Sequence, residues 1–258
     1  MENSQKEGLM MAVLTQQQKD IFYHRNYAHR GLHTKDRTVP ENSLAAFRRA
    51  AEKGYGIELD VQLSRDGQVV VFHDDTLDRV TGVVGRVDSY DYEDLKKMHL
   101  CGTEETIPLF TEVLKNIKGA GPLIVELKTG PRNNELCEKT LAILKTFHQD
   151  FCIESFNPFI VAWFRKHAPE IVRGQLASSY DAMKKAQPGL VARLLSSCFF
   201  NFTARPHFIA YQIGPHPAVV DRFQKKGGLL FGWTAHERSA ESYCDGMIFE
   251  FYEPELKY

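Results

Sequence analysis

Apolar positions along this chain fall into short runs separated by longer stretches with a helical repeat. The short runs are "NYAHR" (26–30), "IELDVQL" (57–63), "LIVELK" (123–128), "FCIES" (151–155), "IVRGQLA" (171–177), "FIAYQI" (208–213), "LLFGWT" (229–234) and "GMIFEF" (246–251). They are rich in Val, Ile, Leu and Phe, the composition of strands buried on both faces. Between them lie "SLAAFRRAAEKG" (43–54), "FTEVLKNIKG" (110–119), "NNELCEKTLAILKTF" (133–147), "PFIVAWFRKHAP" (158–169) and "PAVVDRFQKKGG" (217–228). Several begin at Ser, Asn or Pro and end at Gly or Pro, as helix capping requires. The region 182–200 is also helix-like. Thr15 is positioned to cap a short helix "QQQKDIF" ahead of these elements. Eight strands with helical crossovers predict an α/β TIM (β/α)8 barrel.

One segment breaks the alternation. In "GIELDVQLSRDGQVVVFHD" (56–74), two apolar runs flank Asp66-Gly67. Asp-Gly between such runs predicts a hairpin with a two-residue type I′ turn. That turn would place Ser64 opposite Val69, Gln62 opposite Val71 and Asp60 opposite His73. Glu58, Asp60 and His73 would then share one face, with opposed Cβ atoms about 5 Å apart. The run "VVVFH" has no crossover, so it extends from the second barrel strand as an arm. Residues 75–108, polar and turn-rich with little helical period outside "YEDLKKMHL", form an insertion at the barrel's upper face. Without repeats, low-complexity tracts or linkers, residues 1–258 are expected to form a single domain carrying that insertion.

Composition narrows the class. An apolar fraction of 43% and a charged fraction of 25% are those of an ordinary soluble globular protein. The net charge of −1 implies no general attraction to nucleic acid or to anionic membranes. Five cysteines without paired or zinc spacing suggest reduced thiols and a cytoplasmic location. The N-terminal run "LMMAVL" (9–14) is too short to span a bilayer, and its polar flanks do not resemble a secretory signal.

Barrel enzymes keep their chemistry at the C-terminal ends of the strands. Those ends collect His29 and Arg30 from the first run, Glu58 and Asp60 from the second, and Glu126 and Lys128 from the third. Three converging carboxylates repel one another unless a proton or cation intervenes, and hard oxygen donors suit Mg²⁺ or Ca²⁺. Pairing of each acid with a nearby Arg or Lys would be the structural alternative. His29 and His73 are suited to proton transfer on two sides of a reacting centre. Arg30 can grip a phosphate with two parallel bonds, and Lys128 adds a point charge. The residues alone suggest metal-assisted cleavage of a phosphate ester by general acid–base catalysis.

The ordered motifs "AHRG" (28–31), "PEN" (40–42), "ELD" (58–60), "VVFHD" (70–74), "LDRVTG" (77–82), "IPLF" (107–110), "ELK" (126–128) and "WT" (233–234) resemble those of the glycerophosphodiester phosphodiesterases. The resemblance runs from about residue 26 to 250 and implies a TIM barrel with a small insertion after the second-strand region. It implies hydrolysis of deacylated phospholipids such as glycerophosphocholine to glycerol 3-phosphate and an alcohol. Carried over, it gives His29 and His73 as the catalytic pair, and Glu58, Asp60 and Glu126 as ligands of one divalent cation. Arg30 and Lys128 become phosphate contacts, with Glu41 and Trp233 as further candidates for substrate contact. Asn42 could alternatively cap the helix that begins at "SLAAF". The family mechanism invokes the substrate's glycerol hydroxyl as an internal nucleophile, giving a cyclic phosphate that water then opens. Two departures bear on substrate choice. Many members read "WTVN" where this chain has "WTAH" (233–236), and "DGIITD" where it has "DGMIFE" (245–250), so Glu250 replaces an Asp. Glu250 could bind a glycerol hydroxyl or cap the last strand. Alternative readings are a lysophospholipase D-like or sphingomyelinase D-like phosphodiesterase, which would need an apolar approach for an acyl chain, and a non-catalytic phosphodiester-binding barrel. The expected partner is a small-molecule glycerophosphodiester, with no nucleic acid and no stable membrane insertion.

Overall fold

The computed structural model describes residues 11–258. The strands are β1 (Arg25–Ala28), β2 (Gly56–Leu63), β3 (Val69–Val71), β4 (Leu123–Leu127), β5 (Phe151–Ser155), β6 (Val172–Ala177), β7 (Phe208–Gln212), β8 (Leu229–Ala235) and β9 (Gly246–Phe249). All but β3 pair in parallel, and β1 contacts both β2 and β9, so these eight close into a barrel. The helices in chain order are α1 (Gln16–Phe22), α2 (Leu44–Glu52), α3 (Asp78–Thr81), α4 (Tyr92–Leu95), α5 (Phe110–Asn116), α6 (Asn133–Leu144), α7 (Pro158–His167), α8 (Tyr180–Lys184), α9 (Gly189–Ser196), α10 (Asn201–Ala204) and α11 (Ala218–Lys225). The predicted TIM barrel is present, with strand ends within about two residues of those expected from the apolar runs. Thr15 caps α1 as expected: its hydroxyl accepts from the Gln18 amide, and the Gln18 side chain accepts from the Thr15 amide. Region 182–200 is broken into the short helices α8 and α9 rather than forming one. The "LMMAVL" run lies partly outside the described residues. Among the described residues, no helix is long and apolar enough to cross a membrane.

Alternation along each strand divides the barrel interior into a dry floor and a charged mouth. Early inward positions carry Tyr27, Ile124, Cys152, Val172, Phe208, Leu229, Phe231 and Ile248. Leu14 and Phe22 from α1 and its preceding turn close this cluster from below. The Phe208 and Phe231 rings stack with centroids 4.6 Å apart. The next inward positions on β2 and β4 are Glu58, Asp60 and Glu126, so the same periodicity that buries the floor lifts these acids to the rim. Outward positions such as Leu59, Val125 and Ile153 pack against the helices, for example against Phe47, Phe110 and Phe164.

The hairpin differs from its sequence expectation. Val61 pairs with Val71, Gln62 with Val70 and Leu63 with Val69, one residue out of the expected register. Ser64 closes onto Gln68, leaving a three-residue loop in which Gly67 takes φ +77° while Asp66 stays at ordinary φ. This is the longer loop type with one left-handed residue, not type I′. The Ser64 hydroxyl accepts from the Gln68 amide and the Asp66 carboxylate bonds that hydroxyl and the Tyr92 amide, which favours the longer closure. In this register Phe72, not His73, lies opposite Asp60, and its amide donates to the Asp60 carbonyl. Val70 and Phe72 face Leu77, Val80, Val87, Leu95, Leu100 and Ile107. The insertion therefore has its own apolar core, seated on one face of the hairpin.

A close approach fixes one glycine in the wall. Gly174 on β6 pairs with Phe208, and a Cβ at residue 174 would sit 2.1 Å from the ring. Gly174→Ala is expected to destabilise the fold by about 1–3 kcal/mol through overpacking. Chemical denaturation would measure this, and an unchanged midpoint would show that the Phe208 ring moves freely.

Candidate active site

His29 and Arg30 immediately follow β1. The His29 amide donates to the Phe249 carbonyl, which anchors the turn to β9. Arg30 then takes φ +52° and Gly31 φ +79°, and a Cβ on Gly31 would come within 2.9 Å of Ala46 on α2. This tight turn brings the Arg30 amide 2.9 Å from Glu58 Oε2 and His29 Nε2 to 3.8 Å from the same oxygen.

Glu58, Asp60 and Glu126 bring one oxygen each to within 4.8 Å of one another, and all three are buried. Their environments differ. Asp60 receives Lys128 Nζ at 3.2 Å and Asn42 Nδ2 at 2.8 Å, with Arg30 Nε at 3.6 Å. Burial opposes its charge, but Lys128, His73 and Arg30 hold its carboxyl well below the usual carboxylate range. Glu126 has Lys128 Nζ at 2.8 Å, yet burial and the nearby Asp60 leave its pKa raised. Glu58 is pushed up strongly, by burial first and then by Asp60 and Glu126. Donors spaced this way could hold a metal ion, whose charge would relieve their repulsion.

Neighbouring contacts orient the other polar groups. The Glu250 carboxylate accepts from His29 Nδ1, which leaves Nε2 turned toward Glu58. Its other oxygen meets His236 Nε2 at 3.3 Å, and His33 lies 3.6 Å away. Burial, then Arg30, lowers the His29 pKa to about 4, with Glu250 working in the opposite direction. The ring is neutral around neutral pH. On the other side, Gln62 Nε2 donates to the carbonyls of Phe72 and Asp74, at 2.8 and 2.9 Å, and so brackets His73. His73 Nδ1 pairs with Asp74, which is itself held by Arg79. His73 still acts electrostatically on Asp60 and Glu126, although β3 ends before it and strand alternation does not set its direction.

Several sequence expectations acquire a definite place. Both oxygens of Glu41 are engaged, with Arg30 at 2.7 Å and Arg79 at 2.8 and 2.7 Å, so Glu41 ties the mouth to the insertion. Ser43, not Asn42, caps α2, because its hydroxyl accepts from the Ala46 amide. Asn42 adopts φ +55° and turns its amide onto Asp60 instead. The Trp233 Nε1 donates to the Ala177 and Ala210 carbonyls, leaving the ring rather than its N–H for other contacts. Trp233 lines a cleft of about 420 Å³ with Gln212, Ile213, Thr234, His236 and Glu237. Another cleft, of about 680 Å³, lies at the floor beside α1 and is not lined by Glu58, Asp60, Glu126, His29 or His73. Gln62, Asp74 and Arg79 carry no isolated signal in the sequence, since their function in the site is to hold other residues.

Fold and rim together define a (β/α)8 barrel whose mouth gathers three acids that could hold a metal ion. The chain belongs to the glycerophosphoryl diester phosphodiesterase family, whose model matches residues 29–250. It is similar to a glycerophosphodiester phosphodiesterase of Caldanaerobacter subterraneus subsp. tengcongensis, at 34% identity over 86% of this chain and 91% of that protein. Glycerophosphodiester phosphodiesterase 1 of Homo sapiens is 42% identical over 86% of this chain and 74% of its own length. Among solved structures, an Oleispira antarctica phosphodiesterase in complex with the product sn-glycerol-3-phosphate superposes with a TM-score of 0.72 at 25% identity, covering 88% of this chain and 93% of that one. In sequence and in fold the chain is a glycerophosphodiester phosphodiesterase.

Glu250 raises the His29 pKa against burial and Arg30. Glu250→Gln is therefore expected to lower the His29 titration midpoint further, which NMR of the imidazole would follow. An unchanged midpoint would remove Glu250 as its partner.

Proposed function

We propose that this chain hydrolyses glycerophosphodiesters such as glycerophosphocholine to glycerol 3-phosphate and an alcohol, with one divalent cation and with His29 and His73 as the proton-transfer pair. The observation that carries the reading is the buried Glu58, Asp60 and Glu126 cluster with Arg30 and Lys128 at its edge. Membership of the family and the product held by the Oleispira relative support the substrate class. The five cysteines are unbridged, which supports a reducing, cytoplasmic setting.

Glu58, Asp60 and Glu126 would hold the cation, Mg²⁺ or Ca²⁺, which when bound supplies charge stabilisation to the phosphoryl oxygens. Arg30 and Lys128 offer further positive charge to the same anion. Neutral His29, with its Nδ1 proton fixed by Glu250, presents Nε2 to accept a proton from the glycerol hydroxyl. That oxygen forms the new bond to phosphorus while the bond to the alcohol breaks. His73, oriented by Asp74 and Gln62, gives the departing alcohol its proton. Water then opens the cyclic phosphate with the two imidazoles in reversed roles. Glu41 acts by fixing Arg30 and the insertion, and the Trp233 ring offers a face to the glycerol or alcohol portion.

Wild type is expected to release glycerol 3-phosphate from glycerophosphocholine, to lose this with EDTA, and to lose about 10²–10⁴-fold in His29→Ala. Absence of release across several headgroups and metals would overturn the reading. Turnover of lysophosphatidylcholine in place of glycerophosphocholine would favour the lysophospholipase D alternative. A diester lacking a free hydroxyl beside the phosphoester should resist cleavage. Its hydrolysis at a comparable rate would exclude the internal nucleophile.

A further inference from the structure

Between β6 and β7 the chain makes an outer excursion, residues 178–207, that carries α8, α9 and α10. It leaves large apolar side chains in water. Leu190 is 73% exposed, Phe199 51% and Phe202 48%, and Phe159 at the start of α7 is 64% exposed. The rings form one connected row: Phe159 to Phe200 at 5.8 Å, Phe200 to Phe199 at 5.5 Å, and Phe199 to Phe202 at 5.5 Å between centroids. Contiguous exposed apolar surface of this kind marks a docking face.

The row is held in place from beneath. Arg165 of α7 donates to the Thr203 carbonyl at 2.6 Å. The buried Arg173 guanidinium donates to the carbonyls of Ala204, Pro169 and Ile171. The rings are thus presented outward by a braced segment. The row also starts at the rim of the mouth. Trp233 Nε1 bonds the Ala177 carbonyl, where the excursion begins, and packs edge-on against Phe156, three residues before Phe159.

Charge identifies the occupant. Residues 180–205 contain Lys184, Lys185, Arg193 and Arg205 but only one acid, Asp181, in a chain whose net charge is −1. Lys184, Lys185 and Arg193 are exposed. Exposed aromatic rings and exposed cations on one excursion suit the interface of an anionic bilayer, where rings enter the headgroup boundary and cations meet lipid phosphates. A second copy meeting the same face would bring its cations toward those of the first, which opposes a symmetric dimer.

We propose that the Phe159, Phe199, Phe200 and Phe202 row, with Lys184, Lys185 and Arg193, docks this enzyme reversibly on anionic phospholipid bilayers beside its barrel mouth. The benefit to catalysis rests on the function proposed above, but the docking does not. The test is flotation of the full chain with vesicles of phosphatidylcholine alone or mixed with phosphatidylglycerol. Two triple variants are compared with wild type, Phe159→Ser/Phe199→Ser/Phe202→Ser and Lys184→Glu/Lys185→Glu/Arg193→Glu. Thermal melting and glycerophosphocholine turnover without vesicles check that each is folded and intact. Wild type is expected to float with the phosphatidylglycerol vesicles, and each variant to partition about tenfold or more weakly at unchanged turnover. Absence of wild-type flotation at low salt, or wild-type partitioning by both variants, would overturn the proposal. A dimer that forms without lipid and is lost in the phenylalanine variant would identify a second copy as the occupant and overturn it equally. Flotation without turnover of any glycerophosphodiester would sink the proposed reaction and leave the docking standing.

Discussion

The site depends on the compensation of negative charge at the end of a dry barrel. Two like charges about 4 Å apart repel by about 4 kcal/mol at an effective dielectric of 20, and the three carboxylates are close enough to feel this in each pair. The protein offsets it unevenly. Lys128 bridges Asp60 and Glu126, and Asn42 and Arg30 complete the surroundings of Asp60. Among the described residues the Glu58 carboxylate accepts a hydrogen bond only from the Arg30 amide, and its pKa rises. The cluster therefore has unequal members: Lys128, His73 and Arg30 favour the charged form of Asp60, while burial, Asp60 and Glu126 disfavour that of Glu58. A bound cation would complete what Lys128 and Arg30 begin.

That demand for charge compensation spreads outward through salt bridges. Arg30 is held by Glu41, Glu41 by Arg79, and Arg79 by Asp74, which also orients His73. One connected path thus joins the β1 turn, the "PEN" loop and the insertion. Arg30, Glu41 and Asp74 are partly buried, where breaking one pair leaves the other group uncompensated, whereas Arg79 is exposed. The insertion's apolar core serves the same end, because Val70 and Phe72 seat it on the hairpin that carries His73. Excising the insertion would expose that face and release Arg79 together. The second histidine is therefore a product of tertiary structure rather than of the strand before it.

This explains which parts were legible in the sequence. The period of two in "IELDVQL" and "LIVELK" places Glu58, Asp60, Glu126 and Lys128 inside the barrel by local geometry alone. Strand spacing likewise defines the closed sheet. The hairpin register was not legible, because Asp66 and Ser64 spend their side chains on a three-residue loop that the Asp-Gly signal does not distinguish from a two-residue one. Asn42 looks like a helix cap in sequence, but the adjacent Ser43 takes that role and frees it for Asp60. Such competition between neighbouring cap residues is settled by the packing of the whole loop.

Glu250 shows how a departure from a family pattern can preserve a function of position. Read alone, the final "DGMIFE" offers a carboxylate at a strand end with no stated task. In the barrel β9 lies beside β1, so residue 250 necessarily comes next to residue 29. The carboxylate reaches the His29 ring, and the same group contacts His33 and His236. Burial opposes its charge, but the hydrogen bonds and electrostatic effect of His29 and His33 hold its carboxyl far below the usual carboxylate range. Because the folded pKa lies below the unfolded one, this stabilisation is complete above the ordinary Glu pKa and is lost as pH falls below it. A longer acid here and a histidine at 236 in place of the usual asparagine are thus two halves of one arrangement. They gather imidazoles around one fixed negative charge, at the end of β9 beside β1.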